Sequence, residues 1–233
     1  MHKGRLMLLD FDGVVVDSLE FYEKLVRTCL RRIGHPIIET REDFLDLFDN
    51  NFYESLKRRG VDVAAFNEAA GEIAAESDYG SIKPVEGFAP IMGRLRRKGW
   101  SLTVLSSNSR FAIEKILSLQ GLRHCFDDIL GADEGLAKTD KIFAAMKARS
   151  ANPDETVYVG DTVGDILEAR DAGIAVVAVA WGWHDRKRLA MACPAAIIDR
   201  PEDLLDVIAG NDRKSQNPKG VANGLESRCY GKS

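Results

Sequence analysis

The sequence predicts an α/β fold in which a doubly wound parallel sheet carries an all-helical insertion after its first strand. A short apolar run at residues 6–9 ends at Asp10 and Asp12, as expected for a strand buried on both faces of a parallel sheet. Residues 18–83 then show helical periodicity without a convincing strand. After residue 84, helix and strand patterns alternate, which is typical of a parallel sheet covered by helices on both faces.

The bulk composition excludes several classes of protein. The 233-residue chain has 45% hydrophobic residues, and its net charge of −4 gives no sign of a nucleic-acid-binding surface. The longest apolar run is far shorter than the ~20 residues that cross a bilayer, and Asp10 interrupts the first run too early for a signal peptide. The four cysteines form no CxxC pair, which argues against a zinc site and a disulfide framework. We therefore expect a cytoplasmic monomer or homodimer without nucleic-acid or membrane partners.

The first strand brings two carboxylates to one point. Alternate side chains of an extended segment point the same way, so Asp10 and Asp12 converge at the carboxyl end of the strand, where ligands of open α/β sheets usually bind. Gly13 lets the chain turn without a side chain crowding that point. Converging carboxylates repel unless a cation or a shared proton compensates them, and Mg²⁺ binds through one or two carboxylates plus substrate phosphate. The alternative is an ordinary strand-ending turn, since Asp and Gly are common turn residues.

The segment that follows predicts a small helical domain. Ser18 is a favourable N-cap, and Gly34 ends the first helix. Helical patterns cover residues 18–33, 42–48, 52–59 and 64–77, and residues 78–84 form the return linker. We therefore expect a core domain at residues 1–16 and 84–209 and a helical insertion at residues 17–83. Residues 210–233 lack apolar periodicity, and we expect a disordered tail there.

The rest of the core domain follows a regular order of helix and strand. Helices are predicted at residues 84–98, 110–119, 139–149, 163–172 and 202–208. Strands are predicted at residues 101–106, 128–130, 156–159, 174–180 and 196–198. Because parallel strands end at one edge of a sheet, polar residues that follow these strands are expected to lie near Asp10.

Polar residues follow two of these later strands. Ser107 and Asn108 precede a helix, where side-chain donors and the exposed N–H groups of the helix can bind a phosphate. The alternative is that Asn108 or Ser109 only caps that helix, which is the more common role of such residues. Asp161 follows another strand and is placed like Asp10 to reach a metal ion. Asp165 fits either that site or a capping box with the preceding threonine. Lys138 stands just ahead of a predicted helix and by itself suggests only a surface lysine.

Together these stretches resemble the haloacid dehalogenase superfamily of phosphohydrolases. Its motifs match DxDGxxxDS at residues 10–18, a strand-ending serine with asparagine at Ser107 and Asn108, a lysine at Lys138, and GDxxxD at residues 160–165. The resemblance extends over most of the chain and includes the helical insertion, which in this family is a type C1 cap on a Rossmann-like core. It is strongest to the phosphoglycolate-phosphatase-like subgroup of subfamily IA.

The resemblance implies a Mg²⁺-dependent phosphatase of a small phosphorylated metabolite, such as a phosphoglycolate-like compound or a sugar phosphate. Asp10 is then the nucleophile that forms an aspartyl-phosphate, and Asp12 is the general acid and base. The metal is held by Asp10, the backbone carbonyl of Asp12 and Asp161, with Asp165 acting through water or a second-layer hydrogen bond. Ser107, Asn108 and Lys138 bind the phosphate. An aspartate at position 12 disfavours a dehalogenase, because dehalogenases of the family lack it.

The cap is expected to select the substrate. Phe21, Tyr22, Arg58 and Arg59 are candidates to line its interface with the core, although each also fits a solvated helix face. Residues 109 and 110 depart from the Lys-Pro common in phosphoglycolate phosphatases, which leaves the substrate open. Two other functions also remain open, a phosphomutase of the β-phosphoglucomutase type and a non-catalytic binding protein on the same core.

Overall fold

The computed structural model of the chain describes residues 4–135 and 137–215. Its strands are β1 (Arg5–Leu9), β2 (Val16–Asp17), β3 (Lys83–Pro84), β4 (Trp100–Leu105), β5 (Asp128–Leu130), β6 (Thr156–Gly160), β7 (Ala175–Val179) and β8 (Ala196–Ile198). Its α-helices are α1 (Leu19–Arg32), α2 (Arg41–Leu45), α3 (Phe52–Arg58), α4 (Val63–Glu76), α5 (Phe88–Arg97), α6 (Arg110–Leu119), α7 (Lys138–Arg149), α8 (Val163–Asp171), α9 (Arg186–Met191) and α10 (Asp203–Ser215).

Six strands form one parallel sheet in the order β5-β4-β1-β6-β7-β8. The chain proceeds from β1 outward to β4 and β5, then crosses back to β6 on the other side of β1. The strand order therefore reverses at β1. In sheets of this type the crevice at such a reversal, at the carboxyl ends of the strands, is the usual ligand site. The doubly wound α/β fold predicted from the alternating pattern is confirmed.

Both faces of the sheet are covered by helices. One face packs against apolar residues of α5, α6 and α10, such as Leu95, Ile116 and Leu204. The other face packs against α7, α8 and α9 through residues such as Ile142 and Ile166. The side chains of β1 are fully buried from residue 6 to residue 9, which explains why this strand has no polar alternation.

Helices α1 to α4 form the cap, which has its own apolar core of buried side chains. The two linkers of the cap pair with each other, because β2 and β3 form a two-residue antiparallel ladder. The sequence does not predict this short pairing, because a strand of two residues has no periodicity. It holds the start and the end of the cap together above the carboxyl end of β1.

The loop between β7 and α9 attaches the cap to the core. Trp183 packs against Phe44 and Phe48 of the cap, with ring centroids 5.4 and 4.7 Å apart. The buried His184 accepts a hydrogen bond from the Val163 N–H at Nδ1 (3.0 Å), and its Nε2 lies 3.0 Å from a cap carbonyl, that of Leu45. The cap therefore contacts the core at this loop as well as through its two linkers.

Several local expectations were wrong. Lys138 is the first residue of α7 and does not precede the helix. Helix α9 was not predicted, and α10 continues to Ser215, so the first residues of the predicted tail are helical; the remainder of that tail lies outside the described residues. Cys193 is disulfide-bonded, whereas Cys29 and Cys125 are buried free thiols. Among the described residues, no helix is both long and apolar enough to span a bilayer.

Candidate active site

The carboxyl ends of β1, β4 and β6 open into a cavity of about 800 Å³ between the sheet and the cap. Asp10 and Asp12 follow β1, and Ser107 and Asn108 follow β4. Lys138 enters the same cavity from the first turn of α7. The structure thus brings residues that are up to 128 positions apart in the sequence to one end of the sheet, where the parallel topology predicts a ligand site.

Three buried carboxylates lie together, and one of them, Asp10, lines this cavity. One oxygen from each of Asp10, Asp161 and Asp165 lies within 4.8 Å of the others. The Oδ2 atom of Asp161 accepts a hydrogen bond from the backbone N–H of Trp183 (2.7 Å), whereas its buried Oδ1 has no hydrogen-bond partner. Burial, followed by the charges of Asp165 and Asp10, raises the pKa of Asp161 well above its ordinary value.

The pKa of Asp165 is lowered, in contrast to the raised pKa of Asp161. Burial alone would raise its pKa, but the adjacent Lys138 and the hydrogen bonds from Thr162 hold the pKa below its ordinary value. Lys138 Nζ lies 2.6 Å from Oδ1, and Thr162 donates to Oδ2 from both its backbone and its hydroxyl. Thr162 and Asp165 form a capping box at the start of α8, so Asp165 takes part in the helix cap and also contacts the site.

Asp10 is oriented by its own backbone neighbour. Its Oδ1 accepts a hydrogen bond from the Phe11 N–H (2.8 Å), and its Oδ2 lies 3.6 Å from Lys138 Nζ. Burial raises the pKa of Asp10 to about 8, and Lys138 only partly offsets that rise. A cation among these carboxylates would favour their ionised forms, because an opposite charge at short range lowers a carboxyl pKa.

Asp12 is held by donors from the cap linker and from the end of β4. Ser18 Oγ donates to its Oδ1 (2.7 Å), and Asn108 Nδ2 donates to its Oδ2 (3.3 Å). Burial raises the pKa of Asp12 to about 6, against the opposing effect of these two hydrogen bonds. Ser18 was expected to cap α1 with its side chain, but the helix has no side-chain cap and the hydroxyl serves Asp12 instead.

Ser107 and Asn108, two of the phosphate-binding candidates, line the cavity at the end of β4. The backbone N–H of Asn108, however, already donates to Ser106 Oγ (3.0 Å). The Asn108 side chain contacts Asp12 and the Tyr22 hydroxyl, so it does not cap the helix that follows. Ser109 performs that role by accepting from the third N–H of α6.

A second lysine in the cavity was not identified from the sequence. Lys141 is 3% exposed, donates from Nζ to the Ser106 carbonyl (2.9 Å) and lines the cavity. Burial, followed by the charge of Lys138, lowers its pKa to about 8. Residues three apart lie on one face of a helix. That spacing from Lys138 is the signal that could have found Lys141.

Two glycines permit the close packing around Asp161. Gly13 has a φ of +79°, and a Cβ atom there would lie 2.1 Å from Asp161 Oδ2. A Cβ atom on Gly182 would lie 2.2 Å from Asp161 Cβ. Any other residue at either position would displace this carboxylate, so both glycines belong to the construction of the site.

The donor set fits a magnesium ion. Three buried carboxylates have oxygens within 4.8 Å of one another, and one of them has an oxygen without a donor. Such a group repels itself unless a bound cation or a shared proton compensates the charge. Hard oxygen ligands are those that Mg²⁺ prefers in proteins. Asp161 is the strongest ligand candidate, because the oxygens of Asp165 already accept hydrogen bonds from Lys138 and Thr162.

The cap residues predicted to select the substrate divide into two groups. Tyr22 lines the cavity, and Phe21 packs against Tyr22 and Tyr79 without lining it. Arg58 borders a separate, smaller cavity between α3 and α8, and Arg59 donates to the Asp43 carbonyl inside the cap. Neither arginine lines the cavity that contains Asp10, although Arg58 does lie at the interface of the cap with the core, next to α8.

Comparisons with known proteins agree with this geometry. The family model of the haloacid dehalogenase-like hydrolases matches residues 7–179. The chain is 31% identical over 206 residues to a phosphoglycolate phosphatase from Synechococcus elongatus, covering 87% of this chain and 96% of the relative. It is 26% identical to the pyrophosphatase PpaX of Anoxybacillus flavithermus, covering 89% and 98% of the two chains.

A solved structure shares the same fold. It is described as a predicted phosphatase from Clostridium acetobutylicum and superposes with a TM-score of 0.77 at 21% identity, covering 89% of this chain and 99% of the other. The match of the family model, the long alignment with a phosphatase and the four motifs at one sheet edge lead to one assignment. The chain belongs to the haloacid dehalogenase-like hydrolase family, as a hydrolase of its phosphatase type.

Proposed function

We propose that this enzyme is a Mg²⁺-dependent phosphatase that hydrolyses the phosphate monoester of a small metabolite through an aspartyl-phosphate on Asp10. One observation supports the proposal most strongly. Asp10, Asp12 and Lys138 line one cavity, and the buried Asp161, which has an unpaired oxygen, offers a carboxylate oxygen within 4.8 Å of one from Asp10. Nucleophile, proton donor, anion-binding cation and metal ligands are thus adjacent, as phosphoryl transfer requires.

Asp10, Asp161 and the backbone carbonyl of Asp12 would hold the metal ion. When bound, Mg²⁺ would offset the repulsion between the Asp10 carboxylate and the phosphate dianion and polarise the phosphoryl group. Asp165 would support the site indirectly, since it positions Lys138 and its oxygens already accept several hydrogen bonds.

Asp10 would perform the first chemical step. Its carboxylate oxygen attacks phosphorus and forms the acyl-phosphate bond while the bond between phosphorus and the leaving alkoxide breaks. The Phe11 N–H fixes the rotation of this carboxylate through Oδ1. Such fixing of the nucleophile reduces the entropy that must be lost in the transition state.

Asp12 would supply and then recover a proton. With a pKa near 6 it is partly protonated close to neutral pH, so it can protonate the leaving alkoxide. Once ionised, it can deprotonate the water that attacks the phosphorus of the aspartyl-phosphate and regenerates Asp10. General acid–base assistance of this kind typically contributes ~10²–10⁴-fold to the rate.

Lys138 and Ser107 would bind the oxygens of the transferring phosphoryl group, with Lys141 one helical turn behind Lys138. The Asn108 backbone N–H could join them only by giving up its hydrogen bond to Ser106 Oγ. These groups provide charge and orientation, which account for most of the catalysis in phosphoryl transfer. The monomeric or homodimeric state and the cytoplasmic location remain predictions, to be checked by sedimentation and by cell fractionation.

The function is tested by phosphate release from a panel of phosphorylated metabolites, with and without Mg²⁺. We expect turnover by the wild type that needs Mg²⁺ and is lost in Asp10→Asn. Asp154→Asn is the matched control, because this exposed aspartate precedes β6 at the opposite end of the sheet, and it should retain full activity.

Two other outcomes would replace the proposal. Interconversion of sugar phosphates that depends on a bisphosphate activator, with little phosphate release, would indicate a phosphomutase. Mg²⁺-dependent ligand binding without any turnover would indicate a non-catalytic binding protein.

A further inference from the structure

The cap side of the active-site cavity is mostly apolar. Helices α1, α3 and α4 line it with aliphatic, aromatic and small side chains. Those that argue for an apolar surface are Leu25, Phe52, Val63, Phe66, Ala70 and Ala74. The α4 residues among them follow the spacing of one helix face, so the helix presents an apolar stripe to the cavity that is interrupted by Asn67.

Two of the three lysines among the described lining residues lie next to Asp10, where the phosphate is expected to bind. Among the described lining residues, Lys138 and Lys141 lie beside the catalytic carboxylates, and Lys57 is the remaining cation. Lys57 is paired with Glu54, with Nζ and Oε1 2.6 Å apart. The other polar groups that line the cavity on the cap side are neutral: the amides of Asn50, Asn51 and Asn67 and the hydroxyls of Tyr22, Tyr53 and Tyr79. A second negative charge on a bound substrate would therefore find no unpaired cation among these residues.

The size of the cavity also argues against a small anionic leaving group. A volume of about 800 Å³ lies in the range of pockets that enclose drug-sized ligands. The glycolate group or the second phosphate of the substrates named for two relatives would leave most of the apolar surface uncovered. Burying either anion against that surface without a partner is unfavourable.

We propose that the leaving group of the substrate is an apolar alcohol, alkyl or aromatic, that extends into the cap and carries no second anionic group. This inference rests on the proposed phosphatase function. It predicts that phosphoglycolate and pyrophosphate are poor substrates, although relatives are named for them.

A series of n-alkyl phosphates from ethyl to octyl tests the inference, because the chemistry of the leaving group stays nearly constant along it. Each buried methylene should raise kcat/KM by about 4-fold until the cavity is filled. A terminal carboxylate on the same chain should lower kcat/KM by at least about 10-fold. A flat series, or better turnover of phosphoglycolate or pyrophosphate than of hexyl phosphate, would overturn the inference.

Variants on α4 link the effect to the cap. Ala70→Leu adds volume inside the cavity, and we expect it to reduce kcat/KM for hexyl phosphate by 10-fold or more while ethyl phosphate changes less than 3-fold. Ala64→Leu is the control, because Ala64 is exposed on the same helix and does not line the cavity. Equal effects of the two variants, or equal effects of Ala70→Leu on both substrates, would contradict the assignment.

p-Nitrophenyl phosphate separates the inference from the function on which it depends. Its leaving group needs no protonation, so its hydrolysis reports mainly on the core residues. Suppose that hydrolysis of this compound requires Mg²⁺ and Asp10, but kcat/KM does not change along the alkyl series. That result would refute the apolar leaving group and leave the proposed phosphatase function standing. Absence of hydrolysis of every compound would refute the proposed function and the inference together.

Discussion

Two aspartates four positions apart should respond in opposite directions to the same substitution. Asp161 carries a buried oxygen without a donor, beside the carboxylates of Asp10 and Asp165. Asn at position 161 keeps an oxygen for the Trp183 N–H and places an amide N–H₂ where the unpaired oxygen was. An unsatisfied buried acceptor costs about 1–3 kcal/mol, and more when it is charged. In metal-free buffer, Asp161→Asn should therefore raise the free energy of unfolding by about 1–3 kcal/mol.

Asp165→Asn provides the matched comparison. Asp165 forms the closest ion pair with Lys138 and accepts hydrogen bonds from Thr162 and Tyr158. Breaking a buried ion pair by removing one partner typically costs about 3–5 kcal/mol. We expect Asp165→Asn to lower the free energy of unfolding by roughly 3 kcal/mol, because Lys138 retains only its longer contact with Asp10.

Urea unfolding with EDTA and then with Mg²⁺ measures both effects. Mg²⁺ at about 100 times its Kd should stabilise the wild type by about 2.7 kcal/mol, and Asp161→Asn should gain much less because it has lost a metal ligand. Adding the metal should therefore reduce or reverse the stability advantage that Asp161→Asn has over the wild type in EDTA. Equal or lower stability of Asp161→Asn in EDTA, or an unchanged gain with Mg²⁺, would refute the argument.

Two further predictions concern pH. Burial lowers the pKa of Lys141 to about 8, so kcat/KM should fall above that pH as this lysine loses its charge. Lys141→Arg should move the fall in kcat/KM to higher pH. An identical pH profile for the two proteins would contradict a role for this charge. His184 has a pKa lowered by burial, so the unfolded state binds a proton that the folded state resists, and stability is lost as pH falls below about 6.5. Burial raises the pKa values of Asp10 and Asp12, so these two carboxyls gain stability on acidification in the wild type and in His184→Gln alike. Thermal unfolding should therefore show that His184→Gln is less stable than the wild type at pH 7, and that the difference between the two proteins shrinks as the pH falls to 5.

The sequence predicted those parts of the site that depend on a single strand and its end. The buried run of β1 and the spacing of Asp10 and Asp12 are local properties, so the strand and its convergent carboxylates could be predicted. Asp161 could be predicted for the same reason, since it follows the buried strand β6. The parallel topology then requires these strand ends to meet at one edge of the sheet.

Features that depend on how one element faces another could not be predicted. Arg58 ends helix α3 of the cap and Arg59 follows it, and nothing in the sequence around them shows that Arg58 borders a different cavity from the one that contains Asp10. Trp183 packs against the cap through Phe44 and Phe48. Its backbone donor to Asp161, however, depends on the path of the loop after β7. The bond from Ser18 to Asp12 displaced the expected helix cap because a buried carboxylate competed for the same hydroxyl.

The most direct test of the account is to trap the covalent intermediate on Asp10. Asp12→Asn should accept the phosphoryl group from p-nitrophenyl phosphate, whose leaving group needs no general acid, but hydrolyse the aspartyl-phosphate slowly because no base activates water. Reduction of the trapped acyl-phosphate with borohydride followed by peptide mass spectrometry should show homoserine at position 10. Homoserine at another position, or none while phosphate is released in a Mg²⁺-dependent reaction, would contradict Asp10 as the nucleophile.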